Sequence, residues 1–80
     1  MFNKPLFVRV DWDDEAHVWC ATSDDVPGLA TEEESFDRLV DKLHAMIPEL
    51  LALNRQAFSP RQIHVEMFSR RFETVEMVAC

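Results

Sequence analysis

The chain has 80 residues, of which 48% are hydrophobic, and a formal net charge of −7 at pH 7. This length supports one small domain over residues 1–80, and the hydrophobic content excludes a chain that is disordered by composition. The acidic balance argues against direct nucleic-acid binding, which needs a basic surface, and favours a basic protein partner. No segment approaches the ~20 apolar residues of a membrane helix. No signal peptide is visible, so we expect a cytoplasmic protein with no membrane partner.

Two alternating segments near the start of the chain predict a β-hairpin. Residues Leu6 to Trp12 and His17 to Ser23 alternate between two faces, and a short polar turn at 13–16 separates them. If Asp13 pairs with Ala16, the antiparallel register places Val10 opposite Trp19 and Val8 opposite Ala21. The same register places Trp12 opposite His17. The predicted core face then consists of Leu6, Val8, Val10, Trp19 and Ala21.

The stretch after the hairpin contains the single glycine of the chain and predicts the change from sheet to helix. Pro27 and Gly28 predict a type II turn, because proline presets φ at the second position and glycine supplies a positive φ at the third. Residues Leu29 to Thr31 are expected to form a short third strand. Ser35 is the expected N-cap of the helix that follows.

An amphipathic helix is predicted from Phe36 to about Leu53. Apolar residues repeat there at spacings of three and four, as on the buried face of a helix. Pro48 falls on the outer side, where it removes one backbone hydrogen bond. Asn54 is expected to cap the helix in a left-handed conformation.

A loop at 57–62 and a fourth strand from Gln62 to Ser69 follow. A strand-helix-strand connection in one sheet is nearly always a right-handed crossover between parallel strands, which places the fourth strand beside the first. The predicted fold class is therefore α+β, a small mixed sheet of order 3-2-1-4 packed on one long helix. The C-terminal segment, residues 72–80, could be a fifth strand, an arm that pairs with a neighbour, or a frayed end.

The chain resembles the N-terminal domain of HicB-type antitoxins from Leu6 to Asn54. The resemblance rests on Trp19 in a strand, on Asp25-Val26-Pro27-Gly28, and on Ser35-Phe36-Asp37 at the helix start. It implies a partial RNase H fold without nuclease carboxylates, and a small RNA-cleaving toxin, shaped like a double-stranded-RNA-binding domain, that the antitoxin inhibits. The chain departs from the family pattern at Leu29, where the family often has cysteine, and in its run of three glutamates, 32–34. A further expected departure is that the chain has no DNA-binding C-terminal domain.

Little in the sequence indicates chemistry. Five acidic residues invite comparison with a two-metal nuclease: Asp11, Asp13, Asp14, Asp24 and Asp25. Those before and after the second strand are expected to lie about 20 Å apart, at a rise of ~3.3 Å per residue, which is too far for a shared metal pair. The three histidines fall on different predicted elements: His17, His44 and His64. The sequence shows no nucleophile that any of them could activate. We therefore predict no catalytic residue, metal or cofactor.

The two cysteines are too few for a disulfide framework and lack metal-ligand spacing. Cys20 and Cys80 are therefore expected to be free thiols. As a nucleophile, Cys20 would need a positive environment, for which Arg9 is the candidate neighbour.

The outer face of the predicted hairpin is unusually apolar for a solvated surface, and such patches usually mark interaction sites. The fourth strand adds to that face either Ile63, Val65 and Met67 or His64 and Phe68. An alternative is that the C-terminal segment folds back over it. The predicted protein interface comprises Phe7, Val18, Cys20, Phe68, Phe72, Val75 and Met77.

The leading hypothesis is a non-enzymatic protein-binding module that resembles a HicB-type antitoxin and neutralises a small basic toxin. A homodimer is expected, because a single helix leaves one sheet face and the sheet edges uncovered. The alternatives are a self-assembling accessory protein and a degenerate RNase H-like, metal-dependent nuclease.

Overall fold

The computed structural model describes residues 5–54 and 63–78, which form one sheet and one helix. The elements are β1 (Leu6–Asp13), β2 (Val18–Thr22), β3 (Ala30–Glu33), α1 (Phe36–Leu53) and β4 (Val65–Arg70). The sheet has the order β3-β2-β1-β4. Strand β1 is antiparallel to β2 and parallel to β4. The α+β class, the strand order and the helix bounds predicted from the sequence are confirmed, while the predicted loop at 57–62 lies outside the described residues.

The core lies between α1 and one face of the sheet. Alternation along β1 buries Leu6, Val8 and Val10, while their neighbours point away from the helix. The helix contributes a side chain at every fourth position, which is one face of a 3.6-residue repeat. The buried apolar residues are Leu6, Val8, Val10, Ala21, Val26, Leu29, Leu39, Leu43, Ile47 and Leu51.

The register of the β1–β2 hairpin differs by two residues from the predicted one. Val10 pairs with Ala21, and Trp12 pairs with Trp19. The predictions that Val10 opposes Trp19, that Val8 opposes Ala21 and that Trp12 opposes His17 are therefore wrong. Because side chains alternate with a period of two, this even shift keeps every residue on its predicted face.

A longer turn than expected causes the shift. His17 has a φ of 57°, so it belongs to the turn, and β2 begins at Val18. The His17 N–H donates to the Asp13 carbonyl oxygen at 2.8 Å. Asp13 Oδ1 also accepts from the N–H groups of Glu15 and Ala16, at 3.0 and 3.1 Å. Asp13 thus closes a four-residue loop, whereas the predicted turn had two residues between its paired ends.

The predicted type II turn is confirmed. Gly28 has a φ of 87°, and the Leu29 N–H donates to the Val26 carbonyl oxygen at 3.1 Å. Strand β3 starts one residue later than expected, at Ala30, and extends to Glu33. The start of β4 is also later than predicted, at Val65.

Both ends of α1 have side-chain caps, although one differs from the prediction. Ser35 is extended, and its Oγ accepts from the Arg38 N–H at 3.4 Å, which confirms the N-cap. Asn54 has φ −87° and ψ 7°, so the predicted left-handed cap is wrong. Its side chain acts instead, because Nδ2 donates to the carbonyl oxygens of Leu50, at 2.8 Å, and Pro27, at 3.1 Å.

Candidate protein interface

The sheet face opposite α1 is not covered by any described element. Phe7 on β1 and Phe68 on β4 meet there, with ring centroids 6.2 Å apart and planes tilted by 33°. The two residues are 41% and 58% exposed. Phe68 therefore belongs to the outer face, while Val65 and Met67 face the helix. Of the two sets predicted for the outer face, the structure therefore selects the one that contains Phe68, and this gives the outer face an aromatic pair.

The other predicted residues of this face lie among charged neighbours. Val18 pairs with Asp13, and Cys20 lies between Asp11 on β1 and Glu32 on β3. Both Val18 and Cys20 are only partly exposed. The outer face is therefore divided into an aromatic pair at one end and an acidic region around Cys20.

The surroundings of Cys20 make its thiol a poor nucleophile. Burial and then the carboxylates of Glu32, Asp13 and Asp11 raise the pKa of Cys20. Arg9 does not offset them, because its guanidinium lies 3.9 Å from the Asp11 carboxylate. Cys20 is a free thiol, as predicted, and it stays protonated at neutral pH. Cys80 lies outside the described residues.

The backbone of Phe7 is fixed by the loop that follows β2. The Phe7 N–H donates to Asp25 Oδ2 at 2.8 Å, and Ser23 Oγ donates to the Phe7 carbonyl oxygen at 2.5 Å. Ser23 Oγ in turn accepts from the Asp25 N–H at 3.1 Å. Beside Phe7 lies a depression of about 410 Å³, lined by Phe7, Arg9, Thr22, Ser23, Asp24 and Asp25. The two carboxylates outweigh the single guanidinium of Arg9, so the lining has a net negative charge that, beside an aromatic ring, suits a cationic side chain.

Three of the five aspartates considered as metal ligands have other roles. Asp13 closes the hairpin turn, and Asp25 holds β1 through Phe7. Asp14 Oδ1 accepts from Trp12 Nε1 at 3.3 Å. Within residues 5–54 and 63–78 no group of three or more His, Cys, Asp or Glu side chains is arranged to hold a metal ion.

The predicted interface residues in the C-terminal segment are among the most exposed apolar side chains of the described chain. Phe72 is 78% exposed, Val75 84% and Met77 93%. Residues 71–78 carry no helix or strand. They therefore do not cover the outer face of the sheet, and the fifth strand considered above is not formed in this structure.

Sequence reasoning missed an aromatic cluster at the end of the sheet near the helix N-terminus. Trp19 lies edge-on to Trp12 and to Phe36, with centroids 5.3 Å apart in both pairs. The Arg71 guanidinium stacks over the Trp12 ring, 4.2 Å from its centroid. The alternation of side chains along the strands could have indicated this contact. Ser69 pairs with Val10, so Arg71, two residues later, lies beside Trp12 on the same face.

A second missed feature is a groove between α1 and β4 of about 280 Å³. Its apolar lining consists of Leu43, Ile47, Pro48, Ile63, Val65 and Met67. His44 and His64 also line the groove, so two of the three histidines that the sequence placed on separate elements share one surface. The groove exists because α1 lies over β2 and β3, which leaves the inner side of β4 half-covered.

Comparison with known proteins places the chain in a family. A family model described as "Domain of unknown function (DUF1902)" matches residues 5–78, and the chain belongs to that family. The fold is also similar to the crystal structure of hypothetical protein TTHA1013 from the extremely thermophilic bacterium Thermus thermophilus, with 42% sequence identity and a TM-score of 0.69. That match covers 92% of this chain and 100% of the other. No curated protein matches the chain.

Neither match concerns a HicB antitoxin, so that resemblance remains a prediction. Across the described residues, no helix combines the length and the apolar character that crossing a membrane requires.

Proposed function

We propose that this protein is a non-catalytic binding module that inhibits a small, basic, RNA-cleaving protein, in the manner of the HicB antitoxins it resembles. The observation that carries the proposal is the exposed Phe7–Phe68 pair on an uncovered sheet face. Aromatic side chains that remain exposed on a fixed backbone are the usual anchors of protein interfaces. The hydrogen bonds to Phe7 hold its backbone in place, so little order is lost when a partner binds.

The charge around the aromatic pair favours a basic partner. Asp24 and Asp25 line the depression beside Phe7, and Glu66 pairs with Phe7 on β4. Arg9, which pairs with Phe68, lies 3.9 Å from the Asp11 carboxylate, so the acidic groups around the pair still outnumber this cation. The whole chain carries a net charge of −7, which attracts a basic protein over long range. Carboxylates at the rim would raise the association rate and discriminate against acidic partners, while the aromatic rings would supply contact area.

Inhibition is tested with the basic product of a gene adjacent to the one that encodes this protein. The two proteins are co-expressed and purified together, and cleavage of RNA by the partner is measured while this protein is titrated in. We expect cleavage to stop at a fixed stoichiometric ratio. The Phe68→Glu variant is expected to bind at least tenfold more weakly, because it places a charge at the centre of the contact.

Leu53→Glu is the matched control, since Leu53 is 78% exposed on α1, away from the outer sheet face. It is expected to inhibit like the unmodified protein. If the partner still cleaves RNA at the same rate when this protein is saturating, the proposed function is wrong. If Phe68→Glu and Leu53→Glu lose inhibition equally, the outer sheet face is not the binding site.

A further inference from the structure

β4 is an edge strand that leads directly into an exposed segment. Within the described part of the chain it pairs with β1 alone, so its other edge presents unpaired backbone groups. Residues 71–78 follow and pair with no other described strand, and the side chains of Phe72, Val75, Met77 and Val78 are exposed. The described residues thus include both an unpaired strand edge and a strand-forming segment.

The chemistry of residues 65–78 is that of a continuous strand. They contain no glycine or proline, and they include several β-branched and aromatic residues. Arg71 and Glu73 form an ion pair of 2.6 Å, as residues two apart do on one side of an extended chain. The longest dimension of the molecule is 61 Å, more than twice the ~27 Å of an 18-residue helix, which fits a segment that projects beyond the sheet.

We propose that residues 65–78 pair antiparallel with the same residues of a second copy, which joins two four-stranded sheets into one continuous sheet. Each copy supplies one edge and one segment, so the exchange is reciprocal and closes as a two-fold dimer. The segment of one copy then lies along the β4 edge of the other, beside the half-buried Val65 and Met67 that border the α1–β4 groove.

Charge favours this surface and restricts its register. Residues 65–78 hold two arginines and three glutamates, a net charge of −1, whereas the whole chain carries −7. A register with Arg71 opposite its own copy would oppose two arginines, and would also place Glu66 opposite Glu76, which is unfavourable. Shifting the pairing by one or two residues towards the C-terminus removes both conflicts. Glu73 then faces Arg70 or Arg71 of the second copy.

The inference concerns the protein alone and goes beyond the proposed inhibition, so the two can fail separately. Light scattering at tens of micromolar is expected to give about twice the 9.3 kDa of one chain. Val75→Asp, and a chain that ends at Arg71, are expected to be monomers. Leu53→Asp is the control, because Leu53 on α1 is 78% exposed against 84% for Val75, and this variant is expected to remain a dimer. Hydrogen exchange at residues 72–78 is expected to slow as the dimer forms.

Charge reversal tests the register. Glu73→Lys is expected to weaken the dimer at least tenfold, because lysine would face arginine. An equal mixture of Glu73→Lys with the Arg70→Glu/Arg71→Glu double variant is expected to form a heterodimer, with circular dichroism as the check on folding. A single-chain mass at all concentrations overturns the proposal. A dimer that persists in both the Val75→Asp variant and the chain that ends at Arg71 also overturns it. The same holds if hydrogen exchange at residues 72–78 slows only when a different protein is added.

Discussion

Asn54, at the C-terminal end of α1, donates a hydrogen bond from Nδ2 to the carbonyl oxygen of Pro27 at 3.1 Å. The two residues are 27 positions apart in the sequence and join the end of the helix to the turn that precedes β3. The same amide nitrogen also donates to the Leu50 carbonyl oxygen at 2.8 Å, which accepts the backbone N–H of Asn54 as well, at 3.0 Å. One side chain therefore stabilises both the helix terminus and the tertiary contact.

We expect Asn54→Ala to lower the free energy of unfolding by about 0.5–1.5 kcal/mol, since two hydrogen bonds at an exposed position are lost. Urea denaturation followed by circular dichroism measures the effect. The adjacent Leu53→Ala variant is the control, because Leu53 is 78% exposed and such substitutions change stability by less than about 0.5 kcal/mol. Equal urea midpoints for the two variants would show that the Asn54–Pro27 contact does not stabilise the fold.

Gly28 is the second position where the turn depends on one residue. With φ at 87°, a side chain there is strained whatever the space around it, and the nearest atom to an added Cβ, Leu50 Cδ2, is at an ordinary 3.5 Å. We expect Gly28→Val to cost about 1–3 kcal/mol through backbone strain. Gly28→Asn is expected to cost less, because asparagine tolerates a positive φ better than most residues. An unchanged denaturation midpoint in Gly28→Val would remove the type II turn as a determinant of stability.

Arg71 is expected to report on the aromatic cluster. Its guanidinium lies 4.2 Å from the centroid of Trp12 and 5.8 Å from that of Trp19. We expect Arg71→Gln to shift tryptophan emission at low protein concentration and to cost about 0.5–1 kcal/mol, the usual value of an exposed cation–π contact. Arg70→Gln is the matched control, because Arg70 pairs with Asp11 on the opposite face of the sheet. Glu73→Gln removes the ion pair alone; an emission shift as large there as in Arg71→Gln would contradict the stacking.

Whether the sequence predicts a part of the fold depends on how far apart in the chain the interacting residues lie. Helix α1 was predicted from Phe36 to about Leu53, which agrees with the structure, because its apolar spacing and the Ser35 cap are local signals. The hairpin register was not predicted, because it depends on His17 adopting a positive φ, which is uncommon for residues other than glycine, in a turn that the Asp13 hydrogen bonds close. The two-residue error left the core face intact, since the period of a strand is two.

The candidate interface was harder to predict because it depends on contacts between strands. Phe7 and Phe68 were each proposed from alternation, but their contact follows only from the parallel register of β1 and β4. The acidic surroundings of Cys20 likewise depend on the pairing of β2 with both β1 and β3, whereas the sequence suggests Arg9 as its charged neighbour. Local patterns predict which sheet face a residue lies on. Predicting which residues become neighbours on that face also needs the register of every strand pair.

The acidic surroundings of Cys20 predict an unreactive thiol whose ionisation is coupled to folding. Burial, Glu32, Asp13 and Asp11 all disfavour the thiolate, so the pKa of Cys20 is higher in the folded protein than in the unfolded chain. A group with a raised pKa contributes to stability while it is protonated in both states. That contribution is present at neutral pH and is lost as the pH rises through the folded pKa.

In a Cys80→Ser background, we expect the rate of alkylation by iodoacetamide to rise with pH around a midpoint above the ~8.5 of an ordinary thiol. The same protein unfolded in urea supplies the ordinary midpoint. Glu32→Gln is expected to lower the folded midpoint, because it removes a carboxylate next to Cys20. Glu34→Gln, in an exposed residue just beyond β3, is the matched control and is expected to leave the midpoint unchanged. A folded midpoint at or below that of the unfolded protein would show that the outer face does not hold Cys20 in its protonated form.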